Sequence, residues 1–491
     1  MTETAPATAA PGPIDSGAPT QLRGNMGTVK LILTVLALAA PLGAIGGLSP
    51  VIIANGNGVG APMTFAAIGF VMLLFAVGFT TMTRHSRLAG AFYAYITLGL
   101  GRPFGLGASF IAMFGYFTLM VGAYGMFGQF VNELVSGLGG PTLPWWVYSF
   151  LCWIVITSLA NFNIELSGRV LATVMVLEVI IVMCLNIPVL IGGGPEGRSL
   201  EPFTLGAATS GAPVTAILLA AACFMGFEAT AIYRNEVRDP DRTVPRATYL
   251  AVILIALFYI LSTWALINAV GPSQVVEVAK ESTATLFFDQ LGAYAGGVTK
   301  NIAEVLVITS VFASVLSSHN PIARYMFSLG RDRVFPASVG QVHPKHASPA
   351  RASLVTSVVA IILTAPFVVA NVDVVAFYSW MFGLGAYSML ILMAVTSIAV
   401  IVYFRRNEHD ENVFNTTLVP VLALIGLVTI LIIVGTSFDV LIGGSVPVAI
   451  GMQMFTIGLG VLGIVLALIW RRTRPQVYAG IGGQAAEHID G

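Results

Sequence analysis

Long apolar segments recur along the whole chain, and they constrain its fold more than any other feature. About twelve segments of roughly 18 or more residues carry almost no charge, and each can cross a bilayer as a helix. Only 9% of the residues are charged and 56% are hydrophobic, which is too apolar a balance to cover a soluble surface of this size. The sequence therefore predicts an all-α polytopic protein embedded in a lipid bilayer. The predicted spans are 29–56, 63–83, 104–135, 145–161, 167–191, 213–234, 247–270, 298–329, 352–370, 374–404, 416–437 and 446–470.

The distribution of Lys and Arg predicts the orientation of these spans. If the N-terminal segment is cytoplasmic, 20 of the 23 basic residues fall on the cytoplasmic side, and only Arg198, Lys280 and Lys300 fall outside. This asymmetry favours twelve spans, with both termini cytoplasmic, in the inner (cytoplasmic) membrane of a cell. We expect a disordered tail at 1–24, a twelve-helix domain at 25–475 and a cytoplasmic tail at 476–491. The net charge of zero gives no indication of a nucleic-acid partner.

Two of the spans contain interruptions, at corresponding places in two sets of five. The first has Pro41, Gly43, Gly46, Gly47 and Pro50 within ten residues, all poor helix formers. The sixth is interrupted at 224–227, directly before a lone acid at 228. Lipid offers no partner for a freed N–H or C=O, and matching breaks in two halves indicate a transporter site near the bilayer midplane. An odd number of spans separates equivalent helices, so the second set would be inverted relative to the first.

Three motifs make the chain resemble the amino acid–polyamine–organocation (APC) transporters. The first begins at the break of the sixth span and consists of Phe224, Gly226, Phe227, Glu228, Glu236, Pro240, Arg242, Pro245, Arg246 and Ala247. The second lies between the second and third spans and contains Ala89-Gly90 and Tyr93 to Tyr95. The third follows the eighth span and contains Arg331-Asp332, Phe335-Pro336, His343-Pro344 and Pro349. The resemblance implies a LeuT-like 5+5 inverted repeat, formed by helices 1–5 and 6–10 with helices 1 and 6 broken, plus two C-terminal helices.

The chain departs from the family pattern at two positions near the breaks. Family members commonly carry Gly-Ser-Gly in the first helix, where this chain has Gly46-Gly47-Leu48 followed by Ser49. The third glycine is missing, so close approach of a substrate to the backbone at Leu48 is less assured. Some relatives place a bulky aromatic gate where this chain has Ala222, which would leave a roomier vestibule.

The two breaks together suit a substrate that carries both charges of an amino acid. Freed N–H groups and the half-helix dipole favour a carboxylate, while freed carbonyls favour an ammonium group. We therefore expect the substrate site to be formed by Ala44, Ile45, Gly46, Gly47, Leu48, Ser49, Cys223, Phe224, Met225, Gly226 and Phe227. In the alternative interpretation, the glycines only allow close packing of helices.

A few polar residues deep in the spans are candidates for ion coupling. Glu178 and Glu228 are the candidates for proton coupling, since a buried acid is costly and usually faces a cavity, a partner or a proton path. Each could instead be a protonated glutamate that is hydrogen-bonded to a backbone carbonyl. His319 could take part in coupling or only in packing. The hydroxyls of Ser314, Ser317 and Ser318 lie where sodium-coupled members of the wider fold bind a cation. Tyr124, Trp380 and Phe382 could line the transport pathway or could be ordinary core residues.

These observations predict a transporter and disfavour other classes of membrane protein. The expected function is secondary active transport of amino acids by alternating access, with H⁺ as the coupling ion. An amine or polyamine carrier and an amino acid exchanger remain open as alternatives. A channel is disfavoured by the paired breaks, and an enzyme by the lack of any catalytic motif. We expect no cofactor and no bound metal.

Overall fold

A computed structural model describes residues 26–86, 91–161, 168–341, 349–442 and 445–482 of the chain. Within these ranges the chain folds into helices, and no strand is present beyond two isolated bridges. The predicted N-terminal tail, residues 483–491 of the predicted C-terminal tail, and the motif residues 89–90 and 343–344 lie outside the described part. The prediction of an all-α polytopic membrane protein is confirmed.

Twelve apolar helices of the described part coincide with the predicted spans and are labelled α1 to α12. Eleven are long and apolar enough to cross a membrane, and α4 is shorter. Their bounds are Thr28–Asn55 (α1), Gly58–His85 (α2), Arg102–Gly137 (α3), Trp145–Asn161 (α4), Gly168–Gly192 (α5), Pro213–Ile232 (α6), Pro240–Val270 (α7), Gly297–Arg331 (α8), Ala350–Val369 (α9), Val374–Arg406 (α10), Phe414–Thr436 (α11) and Val446–Thr473 (α12). The inverted repeat relating α1–α5 to α6–α10 stays a prediction.

The two helices with sequence breaks occupy the centre of the bundle. In their most apolar stretches, 94% of α6 and 82% of α1 is buried by the rest of the protein, compared with 28% of α12. Helix α1 packs against α5, α7 and α8, and α6 packs against α2 and α10. Helix α3 crosses the centre and contacts α8 and α10. Irregular backbone is thereby kept away from lipid, where freed polar groups would have no partner.

Short helices connect the long ones at both ends of the bundle. Ala91–Leu100 lies between α2 and α3, and Pro475–Gly480 follows α12, at the end where α1 begins. Val275–Glu281 and Leu286–Ala295 lie between α7 and α8, at the opposite end. The two ends are called the terminal end and the opposite end below.

Candidate functional site

The interruption of α1 begins at Ala40, four residues before the predicted stretch that starts at Ala44. The first helical part ends at Ala39, and Ala40 has a left-handed φ of 42°. Pro41 then starts a short turn, because proline has no N–H and its ring clashes with the preceding turn of a helix. The chain continues as a π-helix over Ala44–Leu48 before α geometry resumes at Ser49.

Side chains from two other helices satisfy the backbone groups freed at this break. The Leu42 N–H donates a hydrogen bond to Oε2 of Glu178 on α5, at 3.3 Å. The Tyr259 hydroxyl on α7 donates to the Ala39 carbonyl, at 3.5 Å. Glu178 is only 2% exposed, and its Oε2 accepts from this N–H group. Its carboxylate therefore holds the start of the second half of α1.

The interruption of α6 lies where the sequence predicts it. The helix stops at Phe224, Met225 is extended, and Gly226 has a φ of 114° that residues with a side chain rarely adopt. The Gly226 N–H donates to Oε2 of Glu228 at 2.8 Å, and the Tyr116 hydroxyl on α3 donates to Oε1 at 2.9 Å. Glu228 is fully buried, and each of its carboxylate oxygens accepts one of these two hydrogen bonds.

A small cavity of about 70 Å³ lies between the two breaks. Five of the predicted site residues line it: Ala44, Leu48, Cys223, Met225 and Gly226. The two broken helices also contribute Ala39, Ala40, Gly43, Ala222 and Ala229 to its walls. The other wall residues come from α3, α8 and α10, and they are Tyr116, Leu119, Ala123, Met126, Val311, Ser314, Ser318, Pro321 and Phe382. The breaks therefore form one site, with walls that are mainly apolar and carry hydroxyl groups.

Gly46 and Gly47 face an aromatic cluster, and they are absent from the cavity wall. A Cβ on Gly46 would lie 3.0 Å from Cζ of Phe288, and one on Gly47 would lie 3.0 Å from Cε of Met126 and 3.3 Å from Cζ of Phe130. Phe288 and Phe130 meet edge to face at 5.9 Å. These two glycines thus permit close packing, whereas Gly43 lines the cavity.

The other predicted site residues lie behind the cavity wall. Ile45 is fully buried, and the Ser49 hydroxyl is hydrogen-bonded to that of Thr263 at 3.3 Å. Phe224 packs edge to face on Tyr259, and Phe227 packs in the same way on a phenylalanine of α2. They support the breaks from outside and do not contact the cavity.

The remaining coupling and pathway candidates are dispersed. Ser314, Ser318 and Phe382 line the cavity. His319 is buried between α8 and α9, with Nε2 2.9 Å from the Ser353 hydroxyl. Trp380 instead lines a wider cavity of about 890 Å³ at the opposite end, which reaches α1 at Val51.

Tyr116 was not predicted by the sequence analysis. It lines the cavity and binds Glu228, so it connects the site with the buried acid. Its signal in the sequence was a tyrosine in the middle of a long apolar helix, where the hydroxyl needs a partner. Eight other tyrosines lie in the apolar helices α1 to α12, so this signal alone would not have selected it.

Comparison with known proteins assigns the family. A family profile described as amino acid permease matches residues 30–469, most of the chain. The chain belongs to the amino acid permease family. This permease of the APC superfamily is a transporter and not an enzyme, and it is a multi-pass membrane protein.

Relatives of the permease carry different substrate names. It is 23% identical to the low-affinity putrescine importer PlaP of Escherichia coli K12, over 70% of this chain and 75% of that protein. It is 22% identical to the branched-chain amino acid permease BcaP of Bacillus subtilis, over 65% and 70%. It is 25% identical to the histidine permease HisP of Lactococcus lactis, over 52% and 54%. These relatives thus support amino acids or amines as the class of substrate for this chain.

Proposed function

We propose that this permease moves amino acids across the cytoplasmic membrane by alternating access, coupled to protons, with both termini in the cytoplasm. The substrate binds in the cavity between the breaks of α1 and α6. One observation carries this proposal: at each break, a buried carboxylate accepts a hydrogen bond from the freed N–H group. A proton that binds to the glutamate can therefore release the same backbone N–H group that a substrate carboxylate would bind.

Glu178 is the group through which proton binding favours substrate binding. When ionised, it accepts a charge-assisted hydrogen bond from the Leu42 N–H, and such bonds are about twice as strong as neutral ones. Protonation of Glu178 weakens that bond and removes a negative charge that would repel the substrate carboxylate. Leu42 precedes Gly43 of the cavity wall, so its N–H at the start of the second half-helix becomes available to the substrate when the cavity widens, aided by the half-helix dipole.

The cavity wall supports a substrate with an apolar or small side chain. Leu119, Met126 and Phe382 supply apolar surface, and no charged side chain lines the cavity among the described residues. At about 70 Å³, the cavity must widen to admit an amino acid. Widening through movement of the half-helices is the motion that alternating access requires. The π-helical segment Ala44–Leu48 is an irregularity of the kind that is frequent at functional sites, and it lies where this movement would occur.

An amine substrate is the second candidate, and the same carboxylates favour it. Glu178 and Glu228 already occupy one freed N–H group at each break, and a cation would be attracted by both when they are ionised. The putrescine importer among the relatives supports this candidate for this chain. The two candidates predict opposite pH dependences of substrate affinity. An amine binds more tightly as the carboxylates lose protons, whereas an amino acid binds more tightly as Glu178 gains one.

Uptake into proteoliposomes tests both candidates. Labelled L-leucine, L-histidine and putrescine are presented with an imposed pH gradient, alkaline inside, with and without a protonophore. We expect gradient-driven accumulation of an amino acid that the protonophore abolishes. Accumulation of putrescine alone would support the amine candidate. Counterflow of an amino acid without any gradient-driven accumulation would identify an exchanger and contradict proton coupling.

A further inference from the structure

Three buried tyrosines connect Glu228 at the cavity with Asp332 at the terminal end. We propose that Tyr116, Tyr325 and Tyr93, called the tyrosine chain below, conduct the proton that Glu228 holds, and that Asp332 exchanges it with water. This inference rests on the proposed proton coupling and adds the route by which the proton leaves the site. The route runs along α3, α8 and the connecting helix Ala91–Leu100.

The first half of the route joins the cavity to α8. Tyr116 lines the cavity and donates to Oε1 of Glu228 at 2.9 Å. Its ring lies 6.0 Å from that of Tyr325, measured between centroids, at an angle of 44°. Both tyrosines are buried, with exposed fractions of 7% and 6%. Tyr325 thus lies next to the tyrosine that binds Glu228.

The second half joins α8 to the terminal end. The Tyr325 hydroxyl contacts the main chain of Tyr93, which places the two residues side by side. The Tyr93 hydroxyl donates to Oδ2 of Asp332 at 3.1 Å and accepts a hydrogen bond from the Gly482 N–H. Tyr93 is 6% exposed, so the polar groups of this half are enclosed as far as Asp332.

Asp332 has the position and the proton affinity expected of the group that ends the route. It follows the last residue of α8, outside the spanning segment. The groups facing it are the Tyr93 hydroxyl, the Gly482 N–H and the neighbouring Arg331, each of which favours the ionised form. Burial outweighs these groups and raises the pKa of Asp332 to about 6. Because the pKa is raised, Asp332 holds a proton below about pH 6 and releases it above, close to neutral pH.

Transfer along the tyrosine chain needs no charged tyrosine. When Glu228 is protonated, the Tyr116 hydroxyl turns its own proton away from Oε1 and its oxygen accepts the proton of the acid. Each following hydroxyl accepts one proton and passes its own proton on. Transfer between two hydroxyls that lie more than about 3.5 Å apart requires a bridging water molecule. The last proton binds to the Asp332 carboxylate and leaves to water. One proton has then moved from Glu228 to the terminal end, and every tyrosine is neutral again.

The test separates net proton movement from substrate movement. Wild type, Asp332→Asn, Tyr93→Phe and Asp332→Glu are reconstituted with whichever of L-leucine, L-histidine or putrescine the wild type transports. A pH dye inside the liposomes reports proton flux, and counterflow reports substrate movement. Asp239→Asn is the matched control, because this carboxylate lies at the same end, half exposed, 4.0 Å from Arg242.

We expect Asp332→Asn and Tyr93→Phe to slow substrate-driven proton flux about tenfold or more, as losing a positioned proton-transfer group does. Counterflow should stay within about twofold of wild type, Asp332→Glu should restore proton flux, and Asp239→Asn should resemble wild type. Wild-type proton flux in Asp332→Asn would overturn the tyrosine chain but leave proton coupling standing. Loss of counterflow that Asp332→Glu does not restore would make Asp332 a structural residue and overturn the inference. A wild type with counterflow but no proton flux would overturn proton coupling itself.

Discussion

Replacing Gly226 with alanine tests whether the break of α6 depends on a backbone conformation that only glycine adopts readily. Gly226 has a φ of 114°, and its N–H binds Glu228 at 2.8 Å. A residue held in such a sparsely populated region costs about 1–3 kcal/mol. At about 2 °C per kcal/mol for a large domain, Gly226→Ala should lower the apparent melting temperature by about 2–6 °C. It should also reduce transport, because relief of the strain moves the N–H away from Glu228.

The matched control is Gly458→Ala on α12. This glycine is exposed and helical, and an added Cβ meets no atom within 4 Å. Alanine is the better helix former, so the control should be neutral or stabilised by up to about 1 kcal/mol. Thermal unfolding in detergent and uptake into proteoliposomes are measured for both variants. Equal melting temperatures and equal uptake for Gly226→Ala and Gly458→Ala would refute the role assigned to the backbone at Gly226.

Three further substitutions test the contacts around the site. Tyr116→Phe leaves one buried oxygen of Glu228 without its donor and should cost about 1–3 kcal/mol, measured as a lower melting temperature. Gly46→Ala should destabilise the protein because its Cβ would lie 3.0 Å from Phe288, and adding Phe288→Leu should recover at least about 0.5 kcal/mol in a double-mutant cycle. Glu178→Gln keeps an acceptor for the N–H of α1 but cannot ionise, so it should flatten the pH dependence of substrate binding more than it lowers affinity at acidic pH.

Each of these substitutions has a control elsewhere in the chain. Tyr148→Phe removes an exposed hydroxyl with only a 3.4 Å contact to a carbonyl, and it should change stability by no more than about 0.5 kcal/mol. Glu201→Gln changes an exposed glutamate and should leave the pH profile intact. Independent effects of Gly46→Ala and Phe288→Leu would show that the aromatic cluster does not press on the glycine. A normal pH profile in Glu178→Gln would remove Glu178 from proton coupling.

The sequence was sufficient to predict the helices and the two helices that break. Apolar segments of membrane length specify helices, since lipid leaves the backbone no other way to satisfy its polar groups. Gly226 marked the break of α6 because few other glycines compete nearby. Glu228 was found for a similar reason, as the one acid in the middle of that apolar helix.

The detailed geometry of α1 was beyond sequence reasoning. Five helix-breaking residues occur within ten positions there, and propensity alone does not decide which one unwinds the helix. In the structure the helix is interrupted at Ala40, where Glu178 and Tyr259 bind the freed backbone groups. Gly46 instead packs against Phe288. Those partners come from α5, α7 and a short helix far away in the sequence, so only tertiary structure reveals them.

The most direct test of a substrate site between the two breaks is equilibrium binding of the transported substrate to two matched variants of α1. Ala44 and Ala54 lie on the same helix and are 4% and 5% exposed, but Ala44 lines the small cavity and Ala54 the wider one at the opposite end. We expect Ala44→Leu to abolish binding by filling the small cavity, and Ala54→Leu to bind as wild type. Normal binding to Ala44→Leu, with binding lost in Ala54→Leu, would contradict a substrate site at the breaks.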